Sequence, residues 1–134
     1  MKTRTVGIVL LFLLVGCSKS EHEKKPEVPE VSGATGTTYF LYVKIPEEIM
    51  PIDRGRKYED PIHELLTKNK IGEVTGGGSM LKEGGGIKFV GVDVDTSDPE
   101  KAIPLLVSKL KEIGAPPGTV IEQYEPVKRI IEVE

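Results

Sequence analysis

The sequence predicts an α+β sandwich, with one antiparallel sheet carrying two helices on a single face. Three observations lead there. Segments with period-two alternation recur, most clearly at Thr38–Ile45 and Ile87–Asp95. Two other segments open on Asp-Pro and place apolar residues at helical spacing. Their order along the chain is strand, helix, strand, strand, helix, strand.

"TYFLYVKI", Thr38 to Ile45, reads as the first strand, closed by Pro46. Tyr39, Leu41, Val43 and Ile45 fall on one side, and Phe40, Tyr42 and Lys44 on the other. "EDPIHELLTKNKIG" reads as a helix with Asp60 as its N-cap, Pro61 at the first helical position and Gly72 as its stop. Ile62, Leu65 and Leu66 form its apolar stripe, with Ile71 near the end.

"TGGGSMLKEGGGIKF", Thr75 to Phe89, carries two glycine triplets. A phosphate-binding loop needs Lys and then Ser or Thr after its last glycine, but Gly78 is followed by Ser79 and Met80. The dinucleotide pattern needs a third glycine where Leu81 stands. Neither signature is present. The second triplet, with Lys82 and Glu83, is turn chemistry before a strong strand, so it is read as a hairpin turn. The first triplet falls in the preceding strand or at its start, where glycine marks a bulge or a close backbone approach.

In the strand after the hairpin, Val90, Val92 and Val94 point one way, and Phe89, Gly91, Asp93 and Asp95 the other. "DPEKAIPLLVSKLKEIGAPPG" repeats the helix grammar, with Asp98 as cap, Pro99 first, and Gly114 and Pro116 as the stop. Its stripe is Ile103, Leu106, Leu110 and Ile113, widened by Ala102 and Leu105. Pro104 removes a backbone donor and predicts a bend or a ragged start. "TVIEQYE" is a further strand and "VKRIIEVE" a possible last one.

This order suits the split βαβ arrangement of ferredoxin-like domains, in which the first and third strands are central neighbours. The other face of the sheet would then present Phe40, Tyr42, Lys44, Phe89, Asp93 and Asp95. Aromatics on two central strands resemble the stacking platform of RNA-recognition domains. Charge argues against that use. Without Lys2 and Arg4 the chain has sixteen basic and twenty-one acidic residues, about −5, whereas nucleic-acid binders need a basic footprint. A protein partner, or a cover from the C-terminal strand or the tether, is expected there instead, and no nucleic acid.

The metal and catalytic signatures are incomplete. "DVDTSD", Asp93 to Asp98, lacks the Gly and Glu of a calcium loop, where Asp98 and Pro104 stand. No metal or cofactor is expected. His63 is the only histidine after the N-terminal segment, and Ser79 is not flanked by the glycines of a nucleophile elbow. The expectation is a non-enzymatic protein. The alternative is a small hydrolase built on His63, or an immunity-type inhibitor of a secreted toxin.

The N-terminus bears on location. Lys2 and Arg4 precede an apolar run from Val6 to Gly16, the layout of a secretory signal and too short for a comfortable membrane span. It ends in "LVGC", Leu14 to Cys17, and then turns polar. This resembles the lipobox of bacterial lipoproteins, which implies cleavage before Cys17 and acylation of its thiol. Cys17 is the sole cysteine, so no internal disulfide is possible. The resemblance implies an envelope protein anchored through Cys17, on the outer membrane facing the periplasm where there are two membranes, since Ser18 is not the Asp of inner-membrane retention. Residues 1–16 are thus read as signal, 17–37 as lipidated cysteine and flexible tether, and 38–134 as a single domain. Separately, "GEVTGGGSML…IKFVGVDVD…LKEIGAPPGTVI" resembles a small α/β domain of uncharacterised bacterial proteins, with no activity attached.

Overall fold

The structure, a computed structural model, describes residues 36–134. The expected signal, Cys17 and most of the tether, His22 included, lie outside the described residues. Five strands form one sheet: β1 (Tyr39–Ile45), β2 (Gly72–Leu81), β3 (Ile87–Thr96), β4 (Val120–Gln123) and β5 (Arg129–Glu132). Their spatial order is β2-β3-β1-β4-β5, and every neighbouring pair is antiparallel. β1 and β3 are central neighbours, as expected, and the last strand completes the chain's own sheet beside β4.

Alternation in β1 and β3 decides which face is buried. Leu41, Val43 and Ile45, with Val94, Val92 and Val90 opposite them, are fully buried. They pack in one core with Ile62 and Leu66 of α2 (Asp60–Lys68), and with Ala102, Leu106 and Leu110 of α3 (Pro99–Glu112). Each such aliphatic side chain contributes about 1.5–3 kcal/mol by leaving water. α3 starts as predicted, because the Asp98 carboxylate accepts from the Lys101 N–H at 3.2 Å. It runs on through Pro104 without a ragged start. The carbonyl that Pro104 leaves without a donor belongs to Glu100, and both residues lie on the exposed side of the helix.

The first helical region corrects the sequence reading. Asp60 does not cap it. Helix begins nine residues earlier, at α1 (Pro51–Arg54), continues as a π-helical stretch over Gly55–Glu59, and passes into α2. Pro61 explains the wide turn: its ring would clash with the carbonyl four residues back in a regular helix, and a π turn moves that carbonyl away. Nor is Gly72 the stop. Both long helices end in the same double-bonded cap, Ile71 N–H to Leu66 O (3.1 Å) with Lys70 N–H to Thr67 O (3.0 Å), and Ala115 N–H to Leu110 O (2.9 Å) with Gly114 N–H to Lys111 O (3.1 Å). The left-handed residue is Gly114 in one (φ 73°) and Lys70 in the other (φ 55°). Gly72 instead belongs to β2, where a Cβ would run into the Asp95 carbonyl oxygen.

The hairpin follows the glycine grammar. Gly84, Gly85 and Gly86 all have positive φ and form the turn, closed by Lys82 N–H to Gly86 O at 2.9 Å. The first triplet lies inside β2, directly after a register shift between Val74 and Gly76 that marks a bulge.

Candidate functional site

The six residues expected on the open face do share it. β1 supplies Phe40, Tyr42 and Lys44, and opposite them β3 supplies Asp95, Asp93 and Gly91, with Phe89 two residues further along. Gly91 has no side chain because the Tyr42 phenol lies across it; a Cβ there would overlap the ring. The Lys44 ammonium sits over the Phe89 ring, 4.6 Å from its centre. Phe89 and Tyr42 are therefore half-buried, and Phe40 is the exposed aromatic, at 40%.

β4 adds residues that the sequence reading missed. Glu122 lies opposite Tyr42, and Tyr124 follows two residues on. The rings of Tyr124 and Phe40 stack at 6.2 Å, 27° apart, and the Tyr124 hydroxyl donates to Glu122 at 2.6 Å. Burial, and then the charges of Asp93 and Glu122, push the Tyr42 hydroxyl above its ordinary pKa; Arg54 opposes this. The available signal was that Glu122 and Tyr124 alternate with buried Ile121 and Gln123. The result is a plate of aromatic rings in an acidic setting, suited to binding a cationic or amphipathic surface. Among the described residues no group of His, Cys, Asp and Glu could hold a metal ion.

His63 and Ser79 each hydrogen-bond to a different group. His63 is exposed, and its Nδ1 accepts the Val74 N–H at 3.3 Å, serving the bulged part of β2. The Ser79 hydroxyl accepts from Arg54 Nη1 at 3.1 Å. Val74 and Ser79 are separated by about 16 Å of extended chain.

Arg54 is itself a buried cation that sequence reading overlooked. Its Nε donates to Glu59 Oε1 at 2.5 Å, and this pair lies over Gly77, where a Cβ would come within 2.5 Å of that oxygen. Beside it, Lys57 donates to both oxygens of Glu47 (2.7 and 3.0 Å), and Tyr58 donates to one of them. Burial raises the Glu47 pKa, but the bonds from Lys57 and Tyr58 outweigh it and hold the carboxyl below its ordinary value. These groups neutralise one another. Elsewhere, a surface cleft of about 610 Å³ lies between Pro117, Thr119, Glu132 and Val133. Its one hydroxyl, on Thr119, is engaged by the Pro116 carbonyl at 2.7 Å.

No helix among the described residues is long and apolar enough to cross a membrane. No family model, curated protein or solved structure matches the chain.

Proposed function

We propose that the protein is a lipid-anchored envelope lipoprotein whose folded domain is a non-catalytic protein-binding module. The observation that carries the binding role is the open sheet face, where exposed Phe40 stacks on Tyr124 beside Tyr42, Phe89 and the carboxylates of Asp93, Asp95 and Glu122. Such a face seldom stays bare, because aromatic area left in water is an unspent source of association energy. The scaffold is a ferredoxin-like split βαβ arrangement with a fifth strand added outside β4. The antiparallel pairing of β1 with both β3 and β4 supports it.

Anchoring belongs to Cys17 and the preceding apolar run. Its test is incorporation of labelled palmitate and partition into the membrane fraction, both lost on Cys17→Ala; labelling that survives this change would remove the anchor. The binding role is tested by capture from cross-linked envelope, comparing the native protein with Phe40→Ser/Phe89→Ser. A partner held by the native form alone, with the variant's circular dichroism unchanged, is the expected result. Loss of folding in the variant would mean that the face is core, and the reading would fall.

A further inference from the structure

The two edges of the sheet are protected very differently. β5 is four residues long and ends in charges, Arg129 and Glu132. Its Arg129 is tied down by bonds to Gln123 Oε1 and to Glu100. Short length and charge are the usual means by which proteins blunt an edge. β2, at the other edge, is ten residues long. From Val74 to Leu81 it carries no charge and no proline, and from Gly77 onward every residue is exposed. Met80 and Leu81 are 52% and 66% exposed.

The side chains around this edge are polarised. Gly76 lies opposite Asp93, and nothing on Gly76 screens that carboxylate: its Oδ2 is 3.2 Å from where a Gly76 Cβ would stand. Glu73, opposite Asp95, continues the acidic row on the same face. A strand added beyond β2 would run about 4.8 Å from it. A long cationic side chain on that strand would cross bare glycine to reach Asp93.

We propose that the free edge of β2 is a docking strand for an extended, basic segment of a protein partner. The segment's backbone pairs with Thr75–Leu81, and its Lys or Arg reaches over Gly76 to Asp93. This rests on the open-face reading above and deepens it by giving the partner a chemistry and a mode of binding, β-strand addition. A second copy of the chain fits less well. Antiparallel pairing of two β2 strands about Gly77 would set the glycine triplets against each other, where no side chains meet, and would bring two acidic rows onto one face.

The test uses the full-length protein and a fluorescein-labelled nonapeptide of alternating Thr and Lys, followed by anisotropy. Saturable binding is expected, weakened about tenfold by Asp93→Asn, the size expected for a charge-assisted hydrogen bond. Gly78→Lys should also weaken it; a Cβ at Gly78 meets nothing within 4 Å, so the fold is undisturbed. Two further peptides carry methyl groups on alternate backbone nitrogens, one in each phase, and one of them should fail to bind. The idea is overturned if both methylated peptides bind like the parent, if Asp93→Asn changes nothing, or if binding is absent. It is also overturned if sedimentation finds a dimer that Gly78→Lys dissociates, because the edge then belongs to a second copy. An envelope partner lost in Phe40→Ser/Phe89→Ser, with no peptide binding by the native protein, sinks the edge proposal alone. Peptide binding with no envelope partner sinks the open-face reading alone.

Discussion

Gly72 and Gly78 lie six positions apart on β2, yet a methyl group would meet opposite surroundings at the two sites. At Gly72 it would strike the Asp95 carbonyl oxygen and press on the Thr96 Cα at 3.0 Å, both backbone atoms that cannot swing aside. Gly72→Ala should therefore cost about 1–3 kcal/mol in urea denaturation, the range for overpacking a tight contact. Gly78→Ala should lie within about 0.5 kcal/mol of the native protein. Equal effects would mean that the β2–β3 approach is not as close as described. Tyr58 offers a second test at this scale. Burial, and then its bond to Glu47, push its hydroxyl from 10.0 to about 12. Because the folded value is the higher one, Tyr58's contribution to stability is complete below pH 10 and is lost as pH rises through about 12. Glu47 has the opposite sign. Its folded pKa lies below 4.5, so its contribution is present above that value and lost as pH falls through the lower folded one. Tyr58→Phe should shrink the alkaline loss, followed by chemical denaturation across pH, and also shrink the acid limb in part, since Glu47 keeps its bonds from Lys57 but loses the one from Tyr58. Lys57, raised by its bond to Glu47, Tyr42, raised by burial, and Tyr124, raised by its bond to Glu122, supply the alkaline loss that remains.

Among the elements, the helices divide into one that the sequence announces and one that it half conceals. α3 was legible at both ends because Asp98, Pro99 and Gly114 each do there what their chemistry favours. Asp98→Ala should cost about 1 kcal/mol, read from the thermal or urea midpoint; no change would mean that the cap adds nothing. The helical turns over residues 51–59 were missed because their inward residues are Arg54 and Tyr58, which no apolar-stripe reading counts. In hindsight the signal is the spacing of Arg54, Tyr58, Ile62 and Leu66, all buried and four apart. In a regular α-helix each step of four overshoots by about 40°. The wider π turn over Gly55–Glu59 takes up part of that rotation and keeps the row facing the sheet. Strand faces were legible in β1 and β3 because alternation alone decides them. The β4 part of the open face was not, since Glu122 and Tyr124 acquire meaning only once β4 is known to lie beside β1. The place of the Arg54–Glu59 pair over Gly77 was illegible for the same reason: the pair is local to the helix, but only the tertiary fold brings β2 against it.

Over the described domain, a single core links β1, β3 and β4 to α2 and α3 through buried side chains, and Val74 of β2 and Ile131 of β5 pack against its margin. Leu106, fully buried in α3, touches this common interior, so Leu106→Ala should cost about 2–5 kcal/mol. Far-UV circular dichroism and tyrosine fluorescence should lose their signals together, at a lower urea concentration; separate transitions would mean that the sheet and helices unfold as independent units. Chain order adds a mechanical consequence. The strand nearest the N-terminus, β1, is the middle one, bonded to β3 along its whole length and to β4 from Leu41 to Lys44. A pull entering at Tyr39 along the strand axis, with the sheet held elsewhere, loads these rungs together in shear. It cannot unzip them one at a time as it would from an edge. A domain tugged by its leading end is thus gripped at its middle strand, and the load is shared across two strand interfaces at once.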